Sequence, residues 1–404
     1  MIAFAAVRRD TWVISLIGLI HGLSHFYQLA LPAVFLAVRD DLGISFSALG
    51  VLASAFYVVS GLCQTFAGFA VDRFGAHRVL FAGLAMMAGG TALMGLANGY
   101  AALFACTILM GVGNSVFHPA DFGVLNANVD AKRLGPAYSV HGLTGNLGWA
   151  VAPATMTALA IAFGGWRGGL IAAGLAGLLV LACVATRRDL LSSAAAQSGA
   201  AKSAAPAAAA AVLLSRPILG CFLFFMLFSS GLIGVQTFGI PTLHQSFAMP
   251  QQLATMTVTC FLLGGAAGIL CGGFVAMRAR RHDHIAVIGM CVAAALMGVI
   301  GAGLLPATGI LVALTAAGFF SGMTNPSRDL LVRAAAPPGS TGKVYGFVYS
   351  GLDAGSALAP LMFGWFLDHG RGELSFQGVA LVWLAGVAAI TLMRTRPPRV
   401  DART

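Results

Sequence analysis

The sequence predicts an all-α membrane protein of twelve transmembrane helices arranged as two similar halves. Three observations lead there. Only 9% of the 404 residues are charged while 58% are hydrophobic. The apolar residues gather into twelve runs, each near the ~20 residues that span a bilayer as helix. A long stretch of the first half recurs in the second.

The composition excludes an ordinary soluble domain, in which about 25% of residues carry charge. The single glutamate, Glu373, and the shortage of other charges leave too little to cover a water-facing surface. The 52 glycines suit close helix packing in lipid. A net charge of +10 suggests nucleic acid only until the basic residues are placed. They flank apolar runs and build no DNA-reading element, so no nucleic-acid partner is expected. The seven cysteines lack metal-type spacing and are expected to pack. A β-barrel is excluded because its strands would be about ten residues long with alternating polarity.

In chain order, the runs lie near 12–37, 45–70, 79–98, 101–126, 137–162, 166–186, 217–243, 252–276, 284–305, 309–333, 343–367 and 375–393. The first is too long for a signal-peptide core and has no small-residue cleavage site, so it is read as a retained span. Most joins are short. The exception, 187–216, is rich in Ala and Ser and reads as a cytoplasmic linker, with an alanine run able to form a short surface helix. It separates an amino-terminal half, 1–186, from a carboxy-terminal half, 217–404. Of the 23 Lys and Arg residues, only Arg39, Arg167 and Arg371 fall on the far side, and Arg328 lies within a span. Positive residues stay cytoplasmic, so both termini are expected in the cytoplasm, in agreement with an even span count. One chain has enough helices to form a path through the bilayer, and a monomer is expected.

The repeat aligns Gly111 to Pro153 with Gly318 to Pro360. Without a gap it pairs Gly111/Gly318, Pro119/Pro326, Gly135/Gly342, Tyr138/Tyr345, Gly148/Gly355 and Pro153/Pro360. Half-chain repeats of this kind build many secondary transporters. Pro119 and Pro326 each stand inside a span, where proline frees a carbonyl and bends a helix.

Ionisable and amide groups inside spans mark candidate function. His21, His25 and Gln28 share one face of the first span by spacings of four and three. They are expected to bind the solute, His21 and His25 around one site with His118, the alternatives being proton duty or structural hydrogen bonds. His118 and Asp121 share a face of the fourth. Asp121 needs a proton or a partner in lipid, which makes it the expected proton carrier, with His118 titrating beside it. Asn146 in the fifth span is its expected polar neighbour. The repeat sets Arg328 opposite Asp121 and Asp353 opposite Asn146, so Arg328 and Asp353 are expected to pair as a gate, with Asp329 as a second acid; the alternative is that Arg328 faces the solute path and meets an anionic solute. Tyr27, Gln64, Gln236 and Asn325 are placed on the solute path, together with Tyr57 and Trp149. Three histidines are able to bind a metal, but no cysteine or carboxylate stands at ligand spacing, so neither metal nor other cofactor is expected. After the second span comes Gly68-Phe-Ala-Val-Asp72-Arg73-Phe-Gly75-Ala-His77-Arg78. There Asp72, with Arg73 and Arg78, is expected to hold one conformation closed by accepting backbone N–H groups or pairing with an arginine.

Twelve spans, two similar halves, a long middle linker and this GxxxDRxG motif resemble the major facilitator superfamily. Within it the chain is most similar to fosmidomycin-resistance-type drug exporters. These have a His-bearing first span, a second span opened by a segment like Leu42 to Gly50, and a fourth span like Ser115-Val116-Phe117-His118-Pro119. That group has a glutamate next; this chain has Ala120, and its acid comes one place later at Asp121. Gly145-Asn146-Leu147-Gly148 and Pro153 resemble the group's fifth span. The resemblance implies two pseudo-symmetric six-helix bundles around a central cavity that opens to each side in turn. It also implies a transporter of a bacterial inner membrane, exporting a small organic or drug-like solute against protons. The alternative is a proton-coupled uptake symporter or facilitator for a small organic anion or metabolite. A receptor or membrane scaffold on the same fold is less expected, because polar groups stand at matched places within spans. No nucleophile–base set or nucleotide loop points to an enzyme.

Overall fold

A computed structural model describes residues 2–192, 213–279, 281–337 and 341–392. Most of the linker expected at 187–216, including its alanine run, lies outside the described residues. Among those described are twelve long helices. They are α1 (Ile2–Ala30, a 3-10 turn at Pro32–Val34, then Phe35–Leu42), α2 (Phe46–Phe74), α3 (Ala76–Gly95), α4 (Tyr100–Asn114 and Phe117–Asn128), α5 (Leu134–Ala162) and α6 (Trp166–Ala185). The second half comprises α7 (Arg216–Ser246), α8 (Gln251–Arg278), α9 (His282–Gly301), α10 (Ala307–Met323 and Asn325–Ala335), α11 (Thr341–Asp368) and α12 (Glu373–Leu392).

Ten of these are long and apolar enough to cross a bilayer. The remaining two, α5 and α11, are the repeat partners that carry His141, Thr144 and Asn146, and Tyr345, Tyr349 and Asp353. Polar side chains lower the mean hydropathy of these two helices, and most of those named meet a neighbouring helix: His141 meets Asp121, Tyr345 donates to the Asp329 carbonyl and Tyr349 packs on Phe225.

The packing obeys the repeat. α1 lies along α5 as α7 lies along α11; α3 lies on α6 as α9 lies on α12; α2 meets α4 as α8 meets α10. Close approach has a residue-level cause. A Cβ at Gly148 would overlap the Gly22 carbonyl, and one at the matched Gly355 would overlap the Met226 carbonyl. The two prolines act alike as well: α4 is interrupted just before Pro119 and α10 just before Pro326, where each ring excludes the carbonyl of the preceding turn.

The halves meet through α2 on α11 and α5 on α8. We call the end where α1 begins proximal and the other distal. At the distal end, Asp368 of α11 accepts the backbone N–H groups of Phe46 and Ser47 at the start of α2, at 2.8 and 2.7 Å. The Ser54 hydroxyl donates to the Ala357 carbonyl at 2.6 Å, and the Phe35 and Phe238 rings meet at 5.3 Å. At the proximal end, Asp10 binds Arg133 at 2.6 Å and Arg9 donates to Asn128 at 3.1 Å, both within the first half. The molecule is therefore closed at its distal end.

Asp368 gives a first prediction. Burial works against its charge, but hydrogen bonds from Ser47, Phe46 and Ser45 outweigh burial and hold the carboxyl below its ordinary value of 3.8. A depressed pKa in the closed state means that the latch acts above the ordinary value and is lost as pH falls through the depressed one. Hydrogen bonds to a charged group contribute about 1.5–3 kcal/mol. Asp368→Asn is expected to raise distal labelling of a single cysteine at Ala357 by roughly tenfold or more. Unchanged labelling by an impermeant maleimide would remove Asp368 from the closure.

Candidate functional site

The first half holds a buried cluster of imidazoles around one carboxylate. α1 contributes His21 and His25, the second segment of α4 contributes His118 and Asp121, and α5 contributes His141. Asp121 has no exposed surface, and His21, His25 and His141 are 2%, 8% and 5% exposed. His118, at the start of its helical segment, is exposed. His141 Nε2 lies 3.0 Å from Asp121 Oδ2 in hydrogen-bond geometry. His21 Nδ1 lies 3.0 Å from the same oxygen but off the line of a hydrogen bond. The His21 and His141 rings stack with centroids 3.5 Å apart. His25 sits 4.4 Å from His21 and His118 5.5 Å from it, centroid to centroid. Asp121 Oδ1 and His25 Nδ1 are buried without a partner.

Such a cluster is suited to holding one positive charge. A single carboxylate oxygen faces two imidazoles, so one protonated ring is neutralised there. A second would place like charges in stacked rings, which low dielectric makes costly.

One helical turn away, Gln28 ties four helices together. Its amide nitrogen donates to Asn114 Oδ1 at 2.9 Å, and its oxygen accepts from Trp149 Nε1 at 2.9 Å. Asn114 in turn donates to Ser60 at 2.8 Å. Neither Asn114 nor Ser60 was anticipated from sequence. Trp149 also packs over His25, with centroids 4.2 Å apart.

Several expectations are corrected. Asn146 is not the neighbour of Asp121: it donates to Gly142 of its own helix, and His141 takes the place expected for it. Arg328 does not pair with Asp353. Its Nε binds Asp329 at 3.1 Å, and its guanidinium lies over the Phe225 and Phe228 rings at 4.2 and 5.1 Å. Asp353 instead faces α2, where a Cβ on Gly61 would lie 3.4 Å from the Asp353 Cβ. Tyr27 is buried with its hydroxyl donated to the Ala173 carbonyl at 2.9 Å, so it joins α1 to α6 rather than offering that group to a solute. The expectation for Asp72 concerns a conformation other than this one: here Asp72 and Arg78 are exposed at the proximal end, and Asp72 makes no ion pair with a described residue. Arg73 lies over the Phe74 ring.

The remaining expected residues are dispersed. Gln236 is buried in α7 with both amide atoms unpartnered. Asn325, half-buried beside Pro326, has an unpartnered oxygen. Gln64 is half-buried on α2. The halves thus differ in chemistry: imidazoles and an acid in the first, an arginine over aromatic rings in the second.

Comparison with known proteins bears on the whole chain. It is 24% identical over 392 residues to the fosmidomycin resistance protein of Escherichia coli strain K12, covering 96% of this chain and 94% of that protein. It is 26% identical over 158 residues to a probable L-galactonate transporter of the same organism, covering 39% of this chain and 35% of that one. In fold it is similar to a bacterial homologue of the human lysosomal transporter Spinster in an inward-facing, occupied conformation. That likeness has a TM-score of 0.76 and 13% identity, and covers 95% of this chain and 96% of that one. The profile of the Major Facilitator Superfamily matches residues 14–240 and 232–404. With that match spanning nearly all twelve helices, the chain belongs to the Major Facilitator Superfamily.

Proposed function

We propose that this protein is a proton-coupled exporter of a small organic solute in a bacterial inner membrane, working as one chain by alternating access. Family and fold place it among transporters of small solutes. The observation that carries the finer reading is the site: an acid and four imidazoles gathered at mid-helix depth, with His118 exposed, in a molecule latched at one end. Excess positive charge near the proximal end supports a cytoplasmic proximal side, which makes this state inward-facing.

Asp121 carries the proton and His118 passes it between the cluster and the cavity. Solute and proton are linked: if protonation weakens solute binding the protein exchanges them, and if it strengthens binding it moves both together. Asp353, on the interface between the halves, and Asp72, exposed in this state, are assigned to gating rather than to the solute.

A second reading has one observation behind it. Arg328 is 6% exposed, and among the described residues its one ion pair is with its sequence neighbour Asp329, so it suits an organic anion, and one relative is named for a sugar acid. Thermal unfolding of purified protein with fosmidomycin or L-galactonate separates the readings. A ligand at about 100 times its Kd stabilises by roughly 2.7 kcal/mol. Stabilisation larger at pH 8 than at pH 6 is expected for exchange; the reverse order would favour symport. Absence of any stabilisation, by these and by a wider set of solutes, would count against a solute carrier.

A further inference from the structure

We propose that His21, His25 and His118 form a binding site for a late first-row divalent cation of the zinc type, with one coordination position left open on the exposed side of His118. Their ligand nitrogens all lie within 4.8 Å of one another. In a tetrahedral zinc site, bonds of about 2.0–2.1 Å put such nitrogens roughly 3.3 Å apart, so small rotations of the rings suffice. His21 and His25 stand four residues apart on one helix, which fixes two of the three ligands before any metal arrives. From sequence alone these three histidines are able to bind a metal, but no metal is expected; the structure brings the ring of His118, from α4, to the pair on α1.

The surroundings fit ligands rather than hydrogen-bonded core histidines. A metal-binding histidine commonly turns its other ring nitrogen to a carboxylate. His21 does so toward Asp121, which is itself held by His141. That leaves the far nitrogen of His21 facing His25 and His118. His25 is nine-tenths buried, yet its Nδ1 has no partner. Gly145 keeps the space where the rings meet: a Cβ there would come within 2.9 Å of His21 Nε2 and of His25 Cε1. Asp121 supplies the negative charge that a cation needs in low dielectric.

The donor set selects the metal. Three neutral imidazoles suit zinc, nickel and copper and give little to magnesium or calcium, which take oxygen. Three protein ligands leave a fourth position, and His118, the exposed member of the three, leaves that side of the site accessible to a donor atom of a solute or a water. Metal and protons compete for the same lone pairs. Binding itself does not rest on the transport reading.

The test uses the full chain, purified without a polyhistidine tag, titrated with Co2+ and followed by its visible absorption. One saturating equivalent, displaced by Zn2+, is expected. His118→Ala, whose side chain is exposed, and His25→Gln should each abolish saturation. Asp121→Asn should weaken binding by about 10- to 100-fold, while His284→Ala leaves it unchanged. Each variant is checked by size exclusion and thermal unfolding, and His118→Ala remains informative if the buried variants do not fold. A spectrum that never saturates, or one unaffected by His118→Ala, overturns the site.

Discussion

Replacing Asp121 by asparagine is expected to abolish the response of transport to a pH gradient while leaving solute exchange without a gradient. Asp121 is the only carboxylate among the five clustered side chains, and it is wholly buried. Asparagine keeps its shape and still accepts one hydrogen bond from His141, but it neither gains nor loses a proton. Coupling free energies between linked sites run about 1–3 kcal/mol, or roughly 5- to 150-fold in affinity, so gradient-driven accumulation should fall by about tenfold or more. Equilibrium exchange of labelled solute on both sides of a vesicle should persist. A variant that keeps the wild-type pH dependence would show that the proton travels elsewhere, with Asp353 the next acid to replace.

The second large effect is expected from Gly50→Leu. A Cβ at Gly50 would overlap the Pro360 carbonyl on α11, at the contact that shuts the distal end. Overpacking a tight contact costs about 1–3 kcal/mol, and here the strain exists only while the halves are closed. The protein relieves it by opening distally, so the equilibrium shifts by roughly 5- to 150-fold without unfolding. Maleimide labelling from the distal side should rise, and net transport should fall by about the same factor. Normal transport with unchanged labelling would mean that α2 and α11 do not form the distal gate.

How much could be read from the chain alone divides along physical lines. Lipid forces runs of ~20 apolar residues, so the spans and the repeat were plain, and matched interruptions before Pro119 and Pro326 followed from proline itself. The face shared by His21, His25 and Gln28 was plain because helical periodicity is local. His141 was missed because its partner, Asp121, lies on another helix, and because the repeat pairs His141 with Val348, an apolar residue that drew no notice. An ionisable side chain within a span was signal enough. The Arg328–Asp353 pairing failed for a related reason. A repeat says which positions correspond, not which way their side chains turn. Arg328 takes the acid beside it in sequence and two phenyl rings, while Asp353 turns to α2. Tyr27 shows the commoner outcome for a tyrosine in a span, a hydroxyl spent on a neighbouring carbonyl.

Proton-coupled export is tested most directly by the direction of proton movement in sealed liposomes holding the purified protein and a pH-sensitive dye. A solute gradient directed inward is imposed, and the internal pH is followed. Protons leaving as solute enters, with the response lost in Asp121→Asn, is the result expected of an exchanger. Protons entering with solute would contradict export and make the protein an uptake symporter under ordinary gradients.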